Sequence, residues 1–584
     1  MTDPVKETAD SLKALVRAAL EAAAAEKGVD ISALPEINIE IPADSSHGDF
    51  ATNAALASAR ALHSSPRDIA ADICARLDLS GTYFEKVETA GPGFINFFLS
   101  KDWFGAAISS VISAGARYGT TSTGGGKKIL LEFVSANPTG PMHIGNARGG
   151  AIGDCLASVL EAAGYNVCRE FYVNDAGNQV NKFGRSLELR YMQLNDPENA
   201  GFIASFDNDE ELCQAIFSDT ERFPMPDDVY LGADIIAHAK RFTEINGDKY
   251  YSADEEERRA ALVNYALPLN IEGLERDLGR YRIIYDNWFR ESTLHSDGSV
   301  ERIIQKLKDS GYTYEQEGAL WFASSRLGDD KDRVLVRANG VPTYFVPDIA
   351  YHYNKLSERG FDTAIDILGA DHHGYIPRMK AAMQALGVDP ERLDMVIMQM
   401  VSLIDGEGNP IKQSKRSGKA ISLVTLLDEI PIDAARFFFN LREANSQFEM
   451  DLDLAIEQSS KNPVYYVQYA HARICSIIRG LKGKGIFADG NAKPVYTEPE
   501  EIELIRELSI LPGTVDAAAA AYDPSKLTKY AVELASCFHK FYDKCRIMGE
   551  SEDVLQSRLM LCNAVRITIE NVFAMLKITC PDKM

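Results

Sequence analysis

The sequence predicts an α/β protein: a doubly wound parallel sheet, preceded by a smaller α/β module and followed by a helical bundle. Three observations carry this. From Lys127 onward, short apolar runs alternate with Ala-rich helical stretches, the pattern of strand–helix–strand units. A breaker cluster, Gly119-Thr-Thr-Ser-Thr-Gly-Gly-Gly126, sets off what precedes it. Beyond about Ala420 strand signals largely stop and amphipathic helices follow one another.

The elements justify this in order. An Ala-rich segment from Thr8 to Lys27 carries apolar residues at helical spacing, and Phe94 to Leu99 reads as a strand closing the first module. Ile129 to Val134 is a buried-strand candidate, followed by a Pro/Gly loop and a helix to about Ala163. Val167 to Val173 reads as the next strand and Asp175 to Leu194 as the next helix, while residues 195–230 read as an irregular, polar insertion. Ala364 to Leu368 and Met395 to Met398 are further strands, and the Gly-rich stretch from Ile404 is a tight turn. The expected domains are residues 1–118, 119–420 and 421–584, in keeping with ~150 residues per domain for a chain of 584.

Composition sets the class. Hydrophobic residues make up 46% and charged residues 25%, the balance of a globular protein with more than one core. No apolar run reaches the ~18–20 residues that span a bilayer, so no membrane partner is expected. Nine cysteines occur without a Cys-x-x-Cys, which fits free thiols in a cytoplasmic protein. The net charge of −24 excludes a chain wrapped in nucleic acid, and confines any RNA contact to local basic patches.

Two segments carry chemistry. Ser135-Ala-Asn-Pro-Thr-Gly-Pro-Met-His-Ile-Gly-Asn-Ala-Arg148 lies between a strand and a helix, at the edge of the sheet where ligands bind in open α/β folds. There His143 can donate to a phosphate oxygen near a helix start, and Gly145 leaves room for a flat ring. Lys412-Gln-Ser-Lys-Arg-Ser-Gly-Lys419 concentrates basic residues after the Gly-rich turn, where lysines can close over a triphosphate. Each alone is weak, since a turn with a solvent-facing His or a solvated basic run is the ordinary reading.

Together they resemble the paired signatures of class I aminoacyl-tRNA synthetases. His143-Ile-Gly-Asn146 is similar to that family's His-Ile-Gly-His motif, with Asn146 in place of the second His. Lys412-Gln-Ser-Lys-Arg416 is similar to its Lys-Met-Ser-Lys-Ser loop, with Gln413 for Met and Arg416 for the last Ser. The stretches from Ser135, Tyr172 to Gln179, Tyr285 to Ser292, Gly369 to Tyr375, Asn462 to Arg473 and the final Pro581-Asp-Lys-Met584 resemble the arginyl-tRNA synthetase family in particular.

The resemblance implies a Rossmann-like catalytic domain that activates L-arginine with ATP, accompanied by Mg2+, and transfers it to the 3′-terminal adenosine of tRNA(Arg). It implies catalytic roles for His143, Lys412 and Lys415, and an arginine pocket of Asn137, Glu291, Tyr344, Asp348 and His372. The two carboxylates would share the guanidinium and the α-ammonium; which takes which stays open. ATP would lie against Pro138, Gly140, His143, Gly145, Asn146, Gly369, Asp371, Lys412, Ser414 and Lys415. Tyr344 and Asp348 share a strand face if Val341 to Asp348 stays extended. Asp371-His-His373 has metal-like spacing but no third ligand, so no metal is expected there. The resemblance places the anticodon against Tyr465, Tyr469 and Met584, although a tyrosine stripe is more often core packing. The amino-terminal module looks like the family's tRNA-elbow domain, and a monomer is expected. Rival readings are another class I synthetase, such as one for cysteine, a nucleotidyltransferase, and a tRNA-binding protein without catalysis.

Overall fold

The computed structural model describes residues 3–42, 44–206, 208–411, 421–489 and 494–584. The chain begins as helix α1 (Pro4–Glu26), whose first turn is capped by the Asp3 side chain accepting from Lys6 N. Strands β1 (Ile39–Glu40), β2 (Phe50–Thr52), β3 (Phe84–Ala90) and β4 (Phe94–Leu99) form an antiparallel sheet in the order β1-β2-β4-β3. Helices α2 (Ala54–Ser58), α3 (Pro66–Arg76) and α4 (Lys101–Ala114) complete the module.

The next unit carries the parallel sheet. Strand β5 (Lys128–Glu132) leads into α5 (Ile144–Ala162), then β6 (Asn166–Val173) and α6 (Gly177–Asn195). Helices α7 (Ala200–Ile203), α8 (Asp209–Ser218), α9 (Ala233–Asn246) and α10 (Glu255–Arg280) follow. Residues 195–230 are therefore not irregular. Asn208 caps α8 by accepting from Glu211 N, and Leu212, Ile216, Phe223 and Ile236 make a small core of their own. Polar surface residues had masked that apolar stripe.

Strand β7 (Asn287–Arg290) leads into α11 (Glu291–Ser296) and α12 (Ser299–Asp309), and β8 (Thr313–Gln316), β9 (Ala319–Phe322) and β10 (Arg333–Val336) make a small antiparallel sheet. Helix α13 (Phe345–Tyr353) occupies the run expected to be a strand. Pro347 is its third residue, where a missing N–H leaves no intrahelical bond unmade, so the proline that looked like a bend sits inside a first turn. Tyr344 and Asp348 are thus one helical turn apart. Then come β11 (Thr363–Gly369), α14 (Tyr375–Ala385), β12 (Leu393–Met398) and β13 (Val401–Ile404). The five strands β12-β11-β5-β6-β7 are all parallel. The order reverses at β5, whose successors in the chain lie on one side and β11 on the other, so the crevice for a ligand opens beyond the ends of β5 and β11.

Helices α15 (Leu423–Glu429), α16 (Ile432–Phe439), strand β14 (Phe448–Asp451) and α17 (Leu452–Ile456) belong to this same unit. The sequence boundary at 420/421 therefore falls too early. Arg436 on α16 is fully buried against Asp154 (2.5 Å) on α5 and donates to Tyr281 O (2.9 Å), which ties the segment to α5 and to the end of α10.

The remaining helices are α18 (Pro463–Lys482), α19 (Pro499–Ser509), α20 (Leu511–Ala521), α21 (Ser525–Lys544) and α22 (Glu552–Leu576). They form one unit with the amino-terminal module: Tyr118 Oη donates to Leu508 O (2.7 Å) and Asn571 Nδ2 to Gly115 O (2.8 Å). Helix α22 is long and apolar enough to cross a membrane by length and composition; most of it is buried among its neighbours, as in the core helix of a bundle.

Candidate active site

Because the five strands are parallel, the residues that follow each of them gather at one edge. After β5 the chain turns sharply through Val134 (φ 70°) and Ser135 (φ 41°), left-handed conformations that are costly for a β-branched residue. Ser135 holds the turn by donating to Glu132 Oε1 (2.8 Å) and accepting from Tyr172 N (3.1 Å). Asn137 is exposed beyond it, and the buried Pro138 is anchored through its carbonyl to Asn270 Nδ2 (2.9 Å). Gly140 lies between this anchor and the start of α5.

His143 stands exposed at that helix start. Its N–H donates to Asn146 Oδ1 (3.1 Å), three residues on, as the third helical residue does in a capping box. Gly145 serves the same ring: a Cβ there would sit 3.2 Å from His143 Cε1 and Nδ1. Arg148 is fully buried and donates to Gln399 O (2.7 Å), Ser446 O (3.0 Å) and Glu443 O (3.1 Å), which joins α5 to the end of β12; burial pushes its guanidinium down to about 10.

Lys412, Ser414 and Lys415 lie outside the described residues. The chain on both sides of them is fixed. Ile411 N donates to Leu403 O (2.8 Å), and Ser422 pairs with His143 in an antiparallel bridge beside a Leu423 N to Met142 O bond (2.9 Å). The described chain therefore resumes beside the His143 loop.

On the next strand β11, Gly369 leads into a single turn, Ala370–His372. A Cβ at Gly369 would lie 2.7 Å from Asp371 Oδ1, so the glycine admits that carboxylate. Asp371 and His372 are exposed and 3.5 Å apart, with His372 edge-on to Tyr375.

Glu291 opens α11 directly after β7 and is 5% exposed. Asp175 holds its helix start, accepting from Ser292 N and Oγ (both 2.8 Å). The Asn174 amide, turned to satisfy both its ends, donates to Glu291 Oε2 and Ala176 O (both 3.0 Å). Burial pushes the Glu291 carboxyl up, Asp348 adds to the push, and His295 at 3.5 Å works against it. Asp348, partly buried, is likewise pushed up by burial, with His352, the Tyr375 hydroxyl and His372 opposing and Glu132 adding. The Tyr172 hydroxyl is buried without a hydrogen-bond partner among the described residues, and burial, with Glu291 and Asp348 adding, pushes it up. Among the described residues neither Glu291 nor Asp348 is ion-paired to a Lys or Arg. Tyr344 is 51% exposed, its hydroxyl accepting from Asn178 N (3.2 Å) above the start of α6.

Beneath lies a charged layer the sequence reading missed. Lys355, wholly buried, pairs with Glu132 (2.5 Å) and Asp366 (2.7 Å), while His352 bridges Asp366 Oδ2 and the Asp348 carbonyl (both 2.7 Å). A Glu and an Asp inside apolar strands were the signal.

The carboxy-terminal unit holds a groove of about 870 Å³, lined among others by Tyr469, Arg473, Arg479, Lys484, Lys583 and Met584. Tyr465 and Tyr469 are partly exposed, their rings 6.4 Å apart and nearly parallel, and Arg473 lies over Tyr469. The tyrosines are not a buried core stripe. Met584 is 50% exposed. Among the described residues one trio could offer metal ligands, His471, Cys475 and Asp582, with ligand atoms within 4.8 Å of one another.

Comparison with known proteins agrees along the whole chain. Residues 10–99 match the arginyl tRNA synthetase N terminal domain, residues 107–201 and 280–476 the catalytic domain of class I tRNA synthetases (R), and residues 467–584 the DALR anticodon binding domain. The gap in the catalytic match spans α8 to most of α10. The arginine–tRNA ligase of Caldanaerobacter subterraneus subsp. tengcongensis is 48% identical over 588 residues, and that of Acetivibrio thermocellus 46% over 587, each covering 100% of both chains. The Thermus thermophilus arginyl-tRNA synthetase structure superposes with a TM-score of 0.70 at 21% identity, covering 98% of this chain and 100% of that one, which speaks for the fold. This chain belongs to the arginyl-tRNA synthetase family and is a ligase that forms aminoacyl-tRNA.

Proposed function

We propose that arginine is activated at the carboxyl edge of the parallel sheet, between the His143 loop and the Glu291–Asp348 pair. The arginine carboxylate attacks the α-phosphorus of ATP, a P–O bond forms, and the bond to the β-phosphate breaks with release of pyrophosphate. The carboxylate is already a nucleophile, so positioning and charge stabilisation supply the catalysis. His143, Lys412 and Lys415 take the developing phosphate charge. Pro138, Gly140, Gly145, Asn146, Gly369, Asp371 and Ser414 shape the nucleotide's seat, with Mg2+ entering as part of the ATP substrate. The 3′-terminal adenosine hydroxyl of tRNA(Arg) then attacks the activated carbonyl and AMP leaves.

Glu291 and Asp348 hold the two cationic groups of arginine, with Asn137, Tyr344 and His372 closing the pocket. Two neighbouring carboxylates that meet no Lys or Arg among the described residues, and whose ionised forms are destabilised by burial, carry this reading: an incoming cation relieves both. Tyr465, Tyr469 and Met584 meet the unpaired anticodon bases by stacking and apolar contact, and residues 1–118 contact the tRNA elsewhere. The enzyme works as a monomer in the cytoplasm, with its cysteines reduced.

Calorimetric titration with arginine and with citrulline, its neutral ureido isostere, tests the pocket. Citrulline binds at least ~30-fold more weakly, because a buried charge loses its partner. Equal affinities would overturn the assignment.

A further inference from the structure

Helix α18 carries two stripes. Tyr469 and Arg473 line the groove and, with Tyr465, a smaller pocket that shares them, whereas Gln468, His471 and Cys475 follow one another at spacings of three and four along an adjacent face, and Arg479, four residues on, lines the groove as well. This second stripe grips the end of the chain rung by rung. Gln468 Nε2 donates to Thr579 O (3.0 Å) and His471 Nδ1 to Pro581 O (3.1 Å). Cys475 Sγ donates to Asp582 Oδ1 (3.6 Å) and Arg479 Nη2 to Asp582 O (3.2 Å). The next two residues, Lys583 and Met584, line the groove.

We propose that Gln468, His471, Cys475 and Arg479 form a positioning ladder that sets the chain end as a wall of the RNA groove, so that they act on tRNA recognition through Lys583 and Met584. The proposal rests on the groove being the anticodon site. A chain terminus is otherwise frayed, and fixing each residue's backbone costs about 1–2 kcal/mol. The ladder brings that ordering into folding, so tRNA meets a formed surface. His471 is the central rung: buried, it is held from its other side by Glu570 (3.1 Å), itself fixed by Arg566 (2.7 Å). Burial and Asp582 push the Cys475 thiol up to about 11, which keeps it a neutral donor toward the carboxylate.

The test is tRNA affinity by filter binding, with aminoacylation kinetics alongside, on the full-length enzyme, on Gln468→Ala, Cys475→Ala and Cys475→Ser, and on a chain lacking Lys583 and Met584. The truncation is expected to raise the tRNA Kd about 10-fold, as loss of one RNA contact does. Gln468→Ala and Cys475→Ala raise it several-fold with kcat at saturating tRNA unchanged, and Cys475→Ser, which keeps a donor, restores it. In the truncated chain the ladder substitutions add nothing further, because their effect runs through residues already gone. Additive losses in that background, or normal affinity in both alanine variants while the truncation binds weakly, would overturn the ladder and leave the groove standing. An unchanged Kd on truncation would overturn the groove reading itself. One equivalent of zinc in the purified protein, lost in Cys475→Ala, would replace the hydrogen-bond ladder by a metal clip.

Discussion

The side-chain oxygen of Asn146 accepts the backbone N–H of His143 at 3.1 Å. Asparagine thus fills the motif's last position as a helix-capping residue, and it orients the loop on which the imidazole stands. Asn146→Ala is expected to cost about 1 kcal/mol of stability and to slow activation by letting His143 drift. In the His143→Ala background the same change should cost no further activity. Single-turnover adenylate formation in the two single variants and the double variant measures this, and independent losses would contradict it.

His143→Ala should slow activation by ~100-fold or more, the usual loss on removing a donor aimed at developing charge. Gly145→Ala tests the same ring from another direction. Its methyl would press on the imidazole from 3.2 Å, so kcat should fall while the melting temperature stays near that of the parent. A Gly145→Ala enzyme of full activity would show that the ring's place is unimportant.

Glu291 and Asp348 both have carboxyl pKa values raised by burial in the folded state. The folded protein therefore binds their protons more tightly than the unfolded chain, and deprotonation as pH rises through the raised values costs stability. Glu291→Gln should accordingly raise the melting temperature at pH 7, weaken arginine binding and leave ATP affinity nearly intact. In the parent, arginine affinity should fall as pH drops through those raised values, and in the variant this dependence should be weaker. Calorimetry across pH 5 to 8 (roughly the window between a raised carboxyl and neutrality) reads both; equal losses for arginine and ATP would refute the pocket.

Lys355 stands between Glu132 and Asp366 with no exposure to solvent. Lys355→Met leaves two buried carboxylates facing each other and should destabilise the catalytic unit by about 3–5 kcal/mol. Denaturant melts measure it. A loss below 1 kcal/mol would mean that water reaches the layer.

Tyr469 is partly exposed and lies under Arg473. Tyr469→Ala should weaken tRNA binding by about 1–3 kcal/mol, the range for one stacked base, with the cooperative melt preserved. Loss of the melt would return the ring to a packing role.

Much of this was legible in the sequence, and the residues explain why. Parallel strands covered on both faces leave short, mostly apolar runs, so β5, β6, β11 and β12 were visible. The His143 loop stood out because prolines and glycines cluster between a strand and a helix. The two carboxylates proposed to hold arginine, by contrast, were marked only by resemblance, because nothing local separates Glu291 from a surface glutamate. Pro347 disguised a helix start as a bent strand. The Lys355 layer and the chain-end ladder depend on residues far apart in the chain, such as Glu132 with Lys355 and His471 with Pro581, and no periodicity joins them.

The most direct test of the account is pyrophosphate exchange by the purified enzyme with each of the twenty amino acids, with and without tRNA. The site described here predicts exchange with arginine alone of the twenty, and its near-abolition by His143→Ala. Exchange driven by another amino acid, or undiminished in that variant, would contradict it.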